Sequence, residues 1–289
     1  MPCKLTLLSR FPACALALSL AGGTAHAQQS SYSAQTFWED TRAVKWETGL
    51  LFTAATAFGL KHWNWGSSNS FRSTSEGWFG LNTGNGGADK LGHAFSAYLI
   101  TNGLAEQLLR QGRSPEQAAL TSALITQALL TYMEIYDGYS VNYGWSKEDM
   151  VMNMVGSGVA YLRHVTPGLR EKLDLRLEYQ SSRYQGFSPI TDYAGQKYVM
   201  AVKLSGFSGL RNTPWRYVEL QMGYYTRGFS RDEQAEGLVR SRRGFIGIGL
   251  NLSELLWGQR RSDESGARRG GRLFFEHIQL PSTAARVEW

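Results

Sequence analysis

Cysteine is nearly absent from this chain: Cys3 and Cys14 are the only two in 289 residues. Both fall in a stretch that reads as a secretory signal. Lys4 and Arg10 give a basic start, Ala13 to Gly22 a short apolar core, and Ala25-His26-Ala27 a small-x-small cleavage site. The apolar core is too short to span a membrane. A mature chain beginning at Gln28 would hold no thiol, which excludes disulfides, zinc–thiolate centres and cysteine nucleophiles. Cys14 sits within the signal after Phe11-Pro12-Ala13, so it is not expected to carry a lipid. The expected compartment is a periplasm, with the protein free or held at a membrane face.

Other signatures are missing too. No HExxH, no GxSxG and no phosphate-cradling glycine loop occurs. No aromatic-interleaved basic motif occurs, so a nucleic-acid partner is not expected. Nothing in the sequence names a cofactor. What is present is a formal charge of +6, with 9 Trp, 14 Tyr, 13 Phe and 32 Gly. The basic balance favours anionic surfaces. The aromatic and glycine content suits a β-rich or membrane-proximal protein.

The chain changes character near Pro167. Before it, apolar residues recur at helical spacing and predict four helices. The first runs from about Phe37 to His62. A long Trp/Gly/Ser-rich loop follows to Gly87, and loops of that length are often functional. The second helix runs from about Asp89 to Gln111, with Gly112 as its stop. The third starts at the cap Ser114-Pro115-Glu116 and continues to Glu134 without another charge. It is slightly short for a membrane span and reads as the central helix of a bundle. The fourth starts at Ser146 and ends before Pro167, and Gly156 and Ala160 would let another helix approach closely. After Pro167, period-two alternation predicts five antiparallel strands: Lys172–Tyr179, Lys197–Leu204, Arg216–Tyr225, Gly244–Leu252 and Arg272–Leu280. The segments Ser230–Arg243 and Gly258–Gly271 read as charged connectors. Five strands fall short of the eight of the smallest outer-membrane barrels. The fold class expected is α+β: a signal over 1–27, a four-helix bundle-like part over 28–168, and an antiparallel sheet over 169–289.

Three polar pairs lie near ends of these helices. Asp89 and His93 share a face at i,i+4, Glu134 and Asp137 at i,i+3, and Asp149 and Asn153 at i,i+4. Antiparallel packing would bring them together at one end of the bundle, joined by Lys90. A carboxylate beside His93 would fix its tautomer and make it a base or a metal ligand. Crowded carboxylates would push one pKa upward and supply an acid. A histidine with two or three carboxylates also suits a divalent metal, with His93, Glu134 and Asp149 as candidate ligands. One by one the same residues have structural uses: Asp89 at a helix dipole, Ser146 with Asp149 as a cap, Asp137-Gly138 as a turn. His164 and His277, each alone, are expected to be structural.

The stretches "DKLGHAFSAYL" and "EIYDGYSVNYGWSKEDMVMNMVGSGVAYL" resemble the YfiM-like family of predicted periplasmic lipoproteins, whose function is undefined. The likeness covers Ala88 to Leu162. Asp192–Leu204 and Arg242–Leu252 look like the β-rich tail of longer members. The D-K-x-x-H and D-x-x-x-N pieces are distantly similar to VanZ-like membrane proteins. By this resemblance Asp89, Lys90, His93, Glu134, Asp137, Gly138, Ser146, Asp149, Asn153 and Gly156 occupy the motif positions. The lipobox cysteine of a lipoprotein is not evident. The resemblance implies the cell envelope but no reaction. Two readings follow. One is a structural or binding protein, with an envelope membrane or an outer-membrane component as partner. The other is a metal-assisted or acid/base hydrolase of an envelope lipid or glycan, with His93 as base or ligand, Glu134 and Asp149 as its partners, and Asn153 as an orienting donor.

Overall fold

The computed structural model describes residues 32–183, 186–260 and 264–289. The signal read over 1–27 and both cysteines lie outside the described residues.

The first expected helix is broken. Helix α1 (Ala34–Ala43) and α2 (Lys45–His62) meet at Val44. Val44 is fully buried among Leu104, Leu108, Ala118 and Ile125. Asp40, four residues before it, is also fully buried and ion-pairs with Arg113 at 2.7 Å. It accepts a hydrogen bond from Thr121 at 3.1 Å. The other three expected helices form as α3 (Ala88–Arg110), α4 (Pro115–Asp137) and α5 (Lys147–Val165). Their ends follow the sequence signals. Ser114 Oγ accepts from Gln117 N and Ser146 Oγ from Asp149 N, satisfying donors that a helix start leaves unpaired. Past α3, Gly112 takes a φ of +84°, and Arg113 N donates to Leu108 O, a Schellman stop.

These three helices pack on one another, and α1 and α2 lie against α4, which is therefore the central helix. Its mid-helix polar residues face neighbours. Thr126 meets Thr101 of α3 at 3.0 Å, and Gln127 donates to Asn153 O and Ser157 Oγ of α5. Helix α5 crosses α3 at Gly156. A Cβ there would sit 1.9 Å from Ala94 O, so only glycine admits this approach. The loop over 62–87 is pinned to one end of these helices. Its strand β1 (Ser73–Thr74) pairs in parallel with β2 (Trp145–Ser146) just before α5. Arg72 also donates to the carbonyls of Ser140 and Val141.

A four-residue helix α6 (Leu169–Lys172) leads into the sheet. Its strands are β3 (Leu173–Tyr179), β4 (Gln196–Lys203), β5 (Val218–Arg227), β6 (Ser241–Leu250), β7 (Ile278–Gln279) and β8 (Ala284–Glu288). The order is β7-β3-β4-β5-β6-β8, antiparallel except for the parallel pair β3–β7. The sheet is thus mixed, not purely antiparallel. The expected connectors carry structure: α7 (Arg231–Ala235) and the start of β6 in one, and the start of α9 (Gly266–His277) in the other, which α8 (Leu252–Trp257) precedes. The fifth expected strand is mostly helix α9 (Gly266–His277), which leaves only Ile278 and Gln279 as strand. Arg272, Glu276 and His277 are the side chains that α9 buries, the first two one helical turn apart. Arg272 pairs with Glu264, and Glu276 with Arg163 and Arg260. The apolar alternation that read as strand therefore does not mark the buried side.

The sheet curls. Glu178 of β3 and Arg286 of β8 are separated by three strands, yet they form a two-pronged ion pair at 2.9 and 2.6 Å. In a flat sheet those strands would stand about 19 Å apart. The concave face is charged and buried: Asp174, Arg176, Lys203 and Glu219 join one network of ion pairs. Arg163 of α5 enters it through Asp174 and Glu276. The convex face is apolar, and α3 covers its β3–β4 side through Ala88, Phe95, Tyr98, Leu177 and Tyr198.

Candidate functional site

The first turns of α3 and α5 and the last turn of α4 meet at one end of the helices, as antiparallel packing requires. Lys90 lies at their centre and is fully buried. Its ammonium is 2.8 Å from Asp89 Oδ2, 2.8 Å from Asp149 Oδ1, and in direct contact with Glu76. Burial alone would lower its pKa. The charges of Asp89 and Asp149 and their hydrogen bonds overrule burial and raise it, so Lys90 stays an ammonium.

His93 stands one turn further along α3. Its Nδ1 is 3.2 Å from Asn153 Oδ1, placed to donate to it, and 3.6 Å from Glu134 Oε1. That tautomer leaves the Nε2 lone pair facing Asp149 Oδ1 at 3.7 Å. The His93 side chain is 25% exposed, against 2% for Glu134 and 6% for Asp149. The imidazole is thus the water-facing member, with carboxylates beneath it.

Glu134 is held by the backbone N–H of Ser146 at 3.3 Å. Burial, with the charges of Asp149 and Asp137, pushes its carboxyl up to about 9. Asp137 lies at the edge, where Trp65 Nε1 donates to it at 2.7 Å. Burial raises it to about 6 despite that bond. Ser146 is the cap of α5, and its hydroxyl also donates to Glu148. Asn153 is fully buried, and its Nδ2 has no hydrogen-bond partner among the described residues.

All eight expected residues are therefore at this end of the helices. Asp89, Lys90, His93, Glu134, Asp149 and Asn153 converge, whereas Ser146 and Asp137 border the cluster. Ser146 and Asp149 do not form a reciprocal capping box: the Asp149 carboxylate turns to Lys90 instead. Sequence reasoning missed Glu76, which the β1–β2 pairing delivers to the cluster. Burial raises its pKa first, then the charge of Asp149. The available signal was that Glu76 is the sole acid between His62 and Gly87. It also missed Tyr193, which packs beside Gly92 of α3. Burial, then the charges of Asp89 and Asp149, raise that phenol. His164 and His277 lie elsewhere, bound to Asn102 Oδ1 and Leu273 O.

Two carboxylate-rich trios result. The ligand atoms of His93, Glu134 and Asp149 all lie within 4.8 Å of one another, as do those of Glu76, Asp89 and Asp149. Lys90 contacts all three acids of the second trio. In the first it contacts Asp149. The two short contacts engage different ring nitrogens, Nδ1 with Glu134 at 3.6 Å and Nε2 with Asp149 at 3.7 Å, so an ion held by one nitrogen would draw the carboxylates in from spacings of up to 4.8 Å. Asn153 would then orient His93 from behind, as metal-ligating histidines require.

No curated protein and no solved structure matches the chain. Residues 75–165, which contain Glu76 and all eight expected site residues, match the family described as predicted periplasmic lipoprotein (DUF2279), a description that agrees with the periplasmic location read from the sequence.

Proposed function

We propose that this is an envelope-associated binding protein whose helical end is a divalent-cation centre, with His93, Glu134 and Asp149 as ligands. The observation that carries the reading is charge: Glu76, Asp89, Glu134, Asp137 and Asp149 gather at one end of the helices, where one buried lysine contacts only Glu76, Asp89 and Asp149. Burial and the charges of Asp149 and Asp137 keep Glu134 from ionising, and a cation held there would ionise it. One imidazole with two carboxylates suits zinc or manganese. Glu76, Asp89 and Lys90 hold Asp149 in place, and Asn153 holds the histidine tautomer. The spacing of these residues also supports kinship with YfiM-like proteins and, more distantly, VanZ-like ones.

A second reading rests on one contact. A carboxyl protonated to about pH 9 lies 3.6 Å from an accessible imidazole, which is an acid beside a base. Such a pair would serve hydrolysis of an envelope lipid or glycan without a metal. Equilibrium dialysis against zinc and manganese separates the two. Stoichiometric binding, lost in His93→Ala and Asp149→Asn, supports the cation centre. No binding by the folded protein rejects it and leaves the acid/base pair.

A further inference from the structure

The sheet is inverted relative to one in a water-soluble sandwich: its charged face is buried and much of its apolar face is bare. Beyond the part under α3, the convex side presents Leu220 and Met222 of β5, Ile246, Ile248 and Leu250 of β6, and Val287 of β8. Each is between 46% and 69% exposed. They are cross-strand neighbours, Met222 opposite Ile246, Leu220 opposite Ile248, and Ile246 opposite Val287. They therefore form one continuous surface. At its border with α3 a groove of about 610 Å³ opens, lined by Leu91, Phe95, Met200, Met222, Tyr224 and Trp289. Its volume falls within the range of small-molecule sites, roughly 300–1,000 Å³.

Charge marks one end of this surface. Arg242 continues the same face of β6 and lines the groove, and Arg240 lies two residues before it. Both are exposed, and their described hydrogen bonds run to the backbone carbonyls of Phe79, Leu81 and Thr83, not to carboxylates. Trp289, 64% exposed, stands at Gly244 and shares the groove lining with Arg242. An apolar surface, a groove at its edge, a basic fringe and a tryptophan at the border are the components of an interfacial lipid contact.

We propose that this convex sheet face docks on an anionic lipid leaflet, with the groove receiving an acyl chain and Arg240 and Arg242 meeting lipid phosphates. A second copy of the chain would cover the apolar residues but would give the arginines no counter-charge. The proposal shares the envelope location with the function proposed above but not the cation centre, so the two stand or fall separately.

The test is co-sedimentation of the purified full chain with vesicles of phosphatidylethanolamine and phosphatidylglycerol, and with vesicles of phosphatidylcholine. The variants are Ile246→Asp with Ile248→Asp, and Arg240→Glu with Arg242→Glu. These side chains are exposed, and circular dichroism and melting confirm that each variant is folded. The expected result is binding to the anionic vesicles that falls about tenfold or more in the aspartate variant. In the arginine variant, binding should drop to the phosphatidylcholine level. Absence of vesicle binding overturns the proposal, as does equal binding by the aspartate variant. So does a dimer in light scattering that the aspartate variant dissolves, which would assign the face to a second copy.

Discussion

The ammonium of Lys90 stands 2.8 Å from Asp149 Oδ1, so the first turn of α3 is tied to the first turn of α5 inside the protein. Asp89 and Glu76 complete the contact. A lysine so placed holds three carboxylates that would otherwise repel one another. Lys90→Met is therefore expected to destabilise the protein by about 3 kcal/mol, the usual cost of removing one partner from a buried ion cluster. Urea denaturation measures this. Adding Asp149→Asn to Lys90→Met should recover part of the loss.

Glu134 makes stability depend on pH with a definite sign. Its folded pKa, about 9, lies above its unfolded value. Between the two, the folded state keeps a proton that the unfolded state has lost. Stability therefore falls as pH rises from about 4.5 to about 9, by at most about 1.4 kcal/mol per pH unit from this group. Denaturation of the chelator-treated protein across that window should show the decline. Glu134→Gln, which mimics the protonated acid, should flatten it and raise stability at pH 8.

The crossing of α3 and α5 predicts a steric effect. Gly156→Ala would place a methyl 1.9 Å from Ala94 O, a backbone atom that cannot swing away. A loss of about 2–3 kcal/mol is expected, with a lowered melting temperature. Gly158→Ala, two residues on, meets nothing within 4 Å and should be neutral or slightly stabilising.

His93 separates a site from a scaffold. It is part-exposed, and its hydrogen bond is to Asn153. His93→Ala is expected to change stability by less than about 1 kcal/mol. The same change should abolish cation binding. Melting and dialysis on one preparation check both halves.

The site was more legible in sequence than the sheet. Asp89 with His93 and Asp149 with Asn153 announced themselves because helical spacing puts each pair on one face, and caps such as Ser114 and Ser146 fixed where the helices start. Glu76 was hidden because it reaches the cluster through the two-residue pairing of β1 with β2, a long-range contact with no periodic signature. The C-terminal part misled for a different reason. Period-two apolar residues ordinarily mark the buried side of a strand, but here Asp174, Arg176 and Glu219 are buried while Ile246 and Ile248 are not. Strand β8, with Arg286 pointing inward, and helix α9, with Arg272 and Glu276 inward, both follow that inverted rule.

The central claim is that His93, Glu134 and Asp149 surround a divalent cation. Anomalous diffraction from crystals soaked in zinc or manganese tests it most directly. One peak within about 2.3 Å of His93 Nε2 and of a carboxylate oxygen from both Glu134 and Asp149 is the predicted result. No peak at that position in well-ordered crystals, with Nε2 facing water and the three side chains apart, would contradict it.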